Sequence, residues 1–271
     1  MFICNCGSGL GNRIKSLVSC LRLDKNSKIN WKKAPGILDC EFEDLFLNDL
    51  TISSPFPKNS RVYSSWRLAV LPEDNVPPGF AKVTFGKDLI GRPFSFTDPQ
   101  GRNIDLEYNR IPESIKKEYV RCFQSFKINP TVLSWIAETE KLFDEETVSV
   151  HIRSWEDQEP DEESISRQKN FFKLEKFTNE MKKFPEETKF YLSSDAVSVI
   201  EKVKKIFPGT IITHKRHSEL MTSRSTRTGA QDDLAELLLL SKNKVIIGTY
   251  LSTFTETAWW FGGAYAQVVI V

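Results

Sequence analysis

The sequence predicts an α/β protein of two Rossmann-like, doubly wound domains, and three observations predict it. Near the N-terminus an apolar run, Met1 to Cys6, passes directly into the glycine-rich turn Gly7-Ser8-Gly9-Leu10-Gly11-Asn12-Arg13 and then into helical spacing. After residue 147, strand-like and helix-like runs alternate to the end of the chain, the pattern of a parallel sheet with crossover helices. Between them, Thr147-Val148-Ser149-Val150-His151-Ile152-Arg153 reads as a strand whose last residues turn polar. Ligands of open parallel sheets sit just beyond such strand ends.

Length and composition set the bounds. A chain of 271 residues has room for two domains of ordinary size. Apolar residues at 40% and aromatics at 11% supply a core, which excludes a disordered chain. The net charge of +1 lacks the basicity of a nucleic-acid binder, and no nucleic-acid partner is expected. Cysteines stand at positions 4, 6, 20, 40 and 122, an odd count without C-x-x-C or zinc spacing. Free thiols in a reducing compartment follow, so a cytoplasmic location is expected. No leader pattern opens the chain and no apolar run reaches 18 residues, so no transmembrane segment is expected.

In the first half, the helix after the glycine turn is expected because Leu10, Ile14, Leu17, Val18 and Leu21 share one face. Glycines at its start let a ligand approach the backbone where a helix end is electropositive. A tight turn with no ligand accounts for the same residues equally well. Ile29-Asn30-Trp31 predicts a second strand, Cys40 to Phe46 a short amphipathic turn of helix, and Arg61 to Trp66 a third strand. From Leu71 to Asn109 proline and glycine recur without periodic runs, which predicts irregular connection. Pro112 to Phe126 and Pro130 to Leu142 read as helices. They place the domain boundary near residue 130, giving domains 1–130 and 131–271.

The second half is more regular. Glu156 to Glu163 is an acidic run, read as a solvated loop. A helix near 171–184, a strand from Lys189 to Asp195, a helix from Ala196 to Phe207 and a strand from Thr210 to Thr213 follow. The series continues with a helix from Asp232 to Ser241, a strand from Lys244 to Tyr250, a helix from Ser252 to Phe261 and a strand from Ala266 to Val271.

Three strand ends in this half carry polar groups: His151 with Arg153, Ser193-Ser194-Asp195, and Thr249 to Thr253. Singly, each is an ordinary helix cap, and Arg153 an ion-pair partner of the acidic run. Together they fit a nucleotide-diphosphate pocket. His151 and Arg153 are two apart and share one side of their strand. The guanidinium fork matches phosphate geometry, and a helix opening at Ser252 and Thr253 offers backbone amides to an anion.

Gly9-Leu10-Gly11-Asn12-Arg13, His151-Ile152-Arg153 and the block from Asp232 to Glu256 resemble the fucosyltransferase superfamily. Trp31 with Cys40 to Phe46 resembles a segment of its bacterial members. The resemblance implies a GT-B fold, with two Rossmann-like domains facing across a cleft, the first on the acceptor side and the second binding the donor. It implies a GDP-sugar donor (GDP-fucose favoured), a glycan or other hydroxyl acceptor, and no metal or other cofactor. Arg153 is then the arginine that contacts the donor β-phosphate and is needed for activity. His151 lies near the nucleoside, Ser252 contacts a phosphate, and the turn from Gly9 to Arg13 faces the donor. Glu236 stands where relatives often carry the aspartate that reads guanine, with Asp232 and Asp233 as neighbouring candidates. Ser194, Asp195 and Thr253 complete the expected donor site.

The residues agree with the resemblance about metal. The chain has no D-x-D pair flanked by strands for a divalent cation to bridge a diphosphate. An arginine and helix N-termini can stabilise the charge on a departing GDP. Inversion at the anomeric carbon calls for a base at the acceptor hydroxyl. Asp157, four residues past Arg153, is the first choice and Asp161 the second. Two other classes compete. A nucleotide-sugar-binding protein without turnover would keep the same pocket. A dinucleotide oxidoreductase would use the N-terminal glycines, but their third member falls one place early for G-x-G-x-x-G.

Overall fold

The structure, a computed structural model of the 271-residue chain, describes residues 1–64, 68–70, 92–94, 113–156, 162–249 and 252–271. The chain divides into two compact units, Met1–Asn129 and Pro130–Val271. Both are α/β with parallel sheets.

The first unit holds β1 (Phe2–Cys4), α1 (Leu10–Leu23), β2 (Lys28–Ile29), β3 (Arg61–Tyr63), β4 (Leu68–Val70), β5 (Arg92–Phe94) and α2 (Glu113–Gln124). Its main sheet has the order β2-β1-β3, parallel throughout, and β4 pairs antiparallel with β5. Helix α1 buries Leu10, Ile14, Leu17 and Val18, as its spacing predicts. Arg22 on α1 pairs with Glu118 on α2 at 2.6 Å, which fixes the two helices together. Cys40 to Phe46 is not helical. The carbonyl of Phe42 accepts from the amides of both Leu45 and Phe46, closing a tight turn. Phe42 and Phe46 leave that turn inward, where rings of Trp31, Phe42, Phe46 and Phe126 pack at centroid distances of 5.5, 5.2 and 4.8 Å. Aromatic burial, rather than a helical face, set the apolar spacing that had suggested helix. Apart from β5, the proline- and glycine-rich stretch read as irregular connection lies outside the described residues.

The second unit runs α3 (Pro130–Glu140), β6 (Val148–Ile152), α4 (Glu162–Phe171), α5 (Leu174–Met181), β7 (Phe190–Ser194), α6 (Val197–Ile206), β8 (Ile211–Ile212), α7 (Arg227–Leu240), β9 (Val245–Gly248), α8 (Thr253–Phe261) and β10 (Gln267–Ile270). Its five strands are all parallel, in the order β10-β9-β6-β7-β8. The chain therefore builds outward from β6 to one side, then returns to β9 on the other. That reversal creates a switch point between the carboxyl ends of β6 and β9, the place where doubly wound sheets bind ligands.

The alternation in β6 explains its place. Val148, Val150 and Ile152 face a core with Phe177, Met181, Phe190, Leu192, Val199 and Val203. Each such side chain stabilises the fold by roughly 1.5–3 kcal/mol on burial. Ser149 and His151 face the other way yet are also buried, so both need partners. The Ser149 hydroxyl donates to the carbonyl of Leu240 and accepts from Asn243 Nδ2. Helix α8 packs close to the end of β9 because residue 248 is glycine: a Cβ there would lie 2.3 Å from Thr255 Cγ2.

Two helix boundaries differ from the sequence reading. The acidic run is not loop throughout, since α4 begins at Glu162 inside it, and residues 157–161 lie outside the described residues. That helix leaves Ile165 half exposed and offers no apolar stripe for periodicity to find. Helix α7 begins at Arg227, five residues before the apolar spacing does, because the Thr226 side chain caps it by accepting from the Gly229 amide at 2.9 Å. Among the described residues, no helix is long and apolar enough to cross a membrane.

Candidate functional site

At the switch point, Thr249 ties the two strand ends together. Its hydroxyl donates to the carbonyl of His151 at 3.0 Å and accepts from the amide of Arg153 at 2.7 Å. This clamp fixes the backbone from which the Arg153 side chain departs. The guanidinium then meets Asp195, at the end of β7, with Nη1 to Oδ2 at 3.0 Å. It also lies over the indole of Trp155, 5.6 Å from the centroid. Asp195 accepts three further bonds: from the Ser154 amide at 2.7 Å, the Ser154 hydroxyl at 3.0 Å and the Trp155 amide at 3.0 Å. Trp155 takes φ 56°, a left-handed conformation costly for a bulky residue.

His151 is buried under α8. Its Nδ1 lies 2.8 Å from Thr255 Oγ1 and 3.3 Å from Ser252 Oγ, and its ring stacks on Phe254 at 4.9 Å. Burial depresses its pKa to about 4; the Asp195 carboxylate raises it and the Arg153 cation lowers it further. The ring is thus neutral at pH 7. A depressed histidine contributes stability that is full above its unfolded pKa near 6.5 and is lost as pH falls through the folded value. This one group should lower stability by about 3 kcal/mol between pH 7 and pH 4. The check is imidazole NMR: the His151 resonances should show no titration between pH 5.5 and 8, and a midpoint near 6.5 would refute the burial argument.

Ser252 caps α8, accepting from the Thr255 amide at 3.3 Å, and Thr253 opens the first turn. Ser194 is buried and accepts from the Ala196 amide, closing the turn before α6. The structure therefore gathers His151, Arg153, Asp195, Ser252 and Thr253 around the β6 and β9 ends, with Ser194 behind them. Asp157 and Asp161, the expected bases, lie outside the described residues.

The acidic face of α7 has a different environment. Segment 213–219 lies across it and supplies its partners. Arg216 bridges Glu236 at 2.8 Å and Asp233 at 3.0 Å, while the other Glu236 oxygen accepts from the Ser193 hydroxyl at 2.6 Å. Asp232 is fully buried and accepts from His214 Nε2, the His217 amide and Nδ1, and the Ser218 amide and hydroxyl. His217 in turn stacks on Trp135 of α3 at 3.8 Å. His214, His217 and Asp232 each bring a potential metal-ligating atom within 4.8 Å of the others. Both Asp232 oxygens are bonded to donors, while the buried Nδ1 of His214 has no hydrogen-bond partner. Neither Asp232 nor Glu236 has an oxygen without a partner.

In the first unit, Gly9 starts α1 with no side-chain cap, and open space lies where its Cβ would be. Leu10 and Gly11 are buried, and Asn12 Nδ2 donates to Ser8 Oγ at 2.7 Å. Arg13, in the turn expected to face the donor, is enclosed by its own surroundings. It has no exposed surface, and it donates to the carbonyls of Ser8 and Lys32 at 2.6 Å each and of Gly7 at 3.5 Å. Its guanidinium covers Trp31 at 4.7 Å. An arginine so enclosed shapes the loop, and it links the glycine turn to the Trp31 aromatic cluster.

No family model and no curated protein matches the chain by sequence. Solved structures do match. Fucosyltransferase NodZ from Bradyrhizobium aligns over 95% of this chain and 92% of its own, with TM-score 0.53 and 16% identity. Arabidopsis thaliana FUT1, as a variant in complex with GDP, aligns over 99% of this chain and 70% of its own, with TM-score 0.54 and 16% identity. POFUT1 in complex with GDP aligns over 99% and 97%, with TM-score 0.51 and 12% identity. The fold is that of the fucosyltransferases.

Several residues of this fucosyltransferase-like fold escaped the sequence reading. Thr249 was seen only as part of a polar tip, and Thr255 and Phe254 only as helix. His214, Arg216, His217 and Ser218 were not singled out at all. The available signal was charge: His-Lys-Arg-His at 214–217 precedes a helix with acids at 232, 233 and 236, a pairing of opposite charge that periodicity does not register.

Proposed function

We propose that this chain is a glycosyltransferase that uses a GDP-sugar donor, fucose being the favoured sugar, and transfers it to a hydroxyl of a glycan or similar acceptor. The observation that carries the reading is Arg153, held at the switch point of a doubly wound sheet beside the N-terminus of α8. The shared fold supports it, since relatives of that fold are fucosyltransferases with GDP bound. We assign the two units to the halves of a GT-B enzyme. In this reading Arg153 and the first amides of α8 stabilise the negative charge of the departing diphosphate, which needs no metal. Neutral His151 lines the nucleoside side. The reaction inverts the anomeric carbon, with Asp157 as the base that takes the acceptor proton, on the strength of its spacing from Arg153 alone. Glu236 remains our choice for the base edge of guanine. The N1–H and N2–H₂ groups would then take the place of Arg216 Nη1 and the Ser193 hydroxyl, the two donors Glu236 now accepts from.

Ligand-dependent stability tests this. With EDTA present, GDP at a hundredfold excess over its dissociation constant should stabilise the protein by about 2.7 kcal/mol, read as a rise in melting temperature. Stabilisation by UDP but not GDP, or only with added Mn²⁺, would sink the proposal. Transfer or hydrolysis of GDP-fucose by the same preparation separates an enzyme from a binding protein.

A further inference from the structure

We propose that Asp195 is a positioning residue: it aims the Arg153 guanidinium at the donor diphosphate without touching the donor itself. The inference rests on the donor reading above. A carboxylate offers about four lone-pair sites, and four donors already reach this one, from Ser154 N, Ser154 Oγ, Trp155 N and Arg153 Nη1, at 2.7 to 3.0 Å. None is left to accept from a ribose hydroxyl or a base. The side chain is also only 12% exposed.

The same four bonds explain the shape of the β6 end. A long arginine has many rotamers to lose, and an unrestrained one would sweep the crevice. Here the Arg153 backbone is held by Thr249, its fork by Asp195, and one face by the Trp155 indole. Trp155 can cover that face only because the chain turns left-handed at φ 56°, and the amide bonds from Ser154 and Trp155 to Asp195 offset the cost of that turn. Asp195 stands just past the end of β7, the strand paired with β6, so one carboxylate sets both the turn and the guanidinium direction.

A turn anchor alone and an aiming device predict different kinetics. If Asp195 acts through Arg153, removing it after Arg153 is already changed should cost little more. The experiment is a double-mutant cycle of Arg153→Lys and Asp195→Asn, with kcat, donor KM and melting temperature measured for all four proteins. Asparagine keeps the shape and one acceptor oxygen but turns an NH₂ toward Arg153 or Trp155. Asp195→Asn alone should lower kcat by about 10- to 100-fold with donor KM within about threefold, the signature of an interaction realised in the transition state. The double mutant should fall within about threefold of Arg153→Lys. Losses that multiply, or an unchanged kcat for Asp195→Asn, overturn the inference while leaving the donor reading intact. An unchanged kcat for Arg153→Lys overturns the donor reading itself. Should Asp195→Asn not be recovered folded, Asp195→Glu, which keeps the charge and displaces it by one methylene, enters the same cycle under the same criteria.

Discussion

Arg153→Lys is expected to lower kcat by roughly 10²–10³, the usual cost of losing one oriented donor to a developing oxyanion. The charge is conserved in this change; the geometry is not. Arginine bonds two oxygens of a phosphate in a fixed plane, whereas lysine is a mobile point charge. In the proposed reaction charge would accumulate on the β-phosphate as the sugar–oxygen bond breaks, so a contact from Arg153 would strengthen toward the transition state and its loss would fall on kcat more than on KM. The fold should survive, because the side chain leaves the end of β6 at 19% exposure and packs no core. Turnover, GDP affinity and melting temperature on one preparation decide the matter. A folded variant with near-normal turnover would reduce Arg153 to an ion-pair partner of Asp195.

What made Arg153 legible in the sequence was the β6 pattern. Strict alternation from Val148 to Ile152 fixes a strand with one apolar face, and polar residues at its end mark where the strand leaves the core. The alternation between strands and helices after it gave the parallel sheet for the same reason: each run buries a face of a definite period. The order of the strands was not legible, because nothing local distinguishes a chain that continues outward past β8 from one that returns to β9. That return makes the switch point. It is an outcome of long-range packing, in which Gly248 admits α8 and Thr249 clamps β6 to β9.

Polar residues were harder to place than apolar ones. A buried valine needs only a neighbour of suitable size, whereas a buried carboxylate needs particular donors, and these come from distant sequence. Asp195 shows this well: the sequence marks it as a polar tip, but its partners lie forty residues earlier. Arg13 is a second case. The resemblance puts it in a turn that faces the donor, and in the structure it donates to the carbonyls of Ser8 and Lys32. Without contacts, an arginine that satisfies its own loop and one that reaches for a ligand look the same.

The same distinction can be tested on α7. Asp232 was a candidate for reading the nucleotide base, but five donors converge on it in a site with no exposure. Asp232→Asn should therefore act on stability. One acceptor oxygen becomes an NH₂ that faces N–H or O–H donors, leaving buried groups unpaired at a cost of about 3 kcal/mol. Urea unfolding should show a lower midpoint with an unchanged slope, while GDP affinity of the folded variant stays within about threefold, since no ligand contact is lost. Acid supplies an independent check. Burial pushes the Asp232 pKa up, but bonds from His214, Ser218 and the His217 amide outweigh it and hold the value at about 2, below the ordinary 3.8. A depressed carboxylate contributes stability that is full above the unfolded pKa and is lost as pH falls through the folded one, here about 2 kcal/mol. Asparagine has no such titration. The stability gap between wild type and variant should accordingly be widest above pH 4 and narrow steadily toward pH 2. A gap that does not change with pH would refute the depressed carboxylate, and a variant of normal stability that no longer binds GDP would show that Asp232 meets the base rather than the segment folded over it.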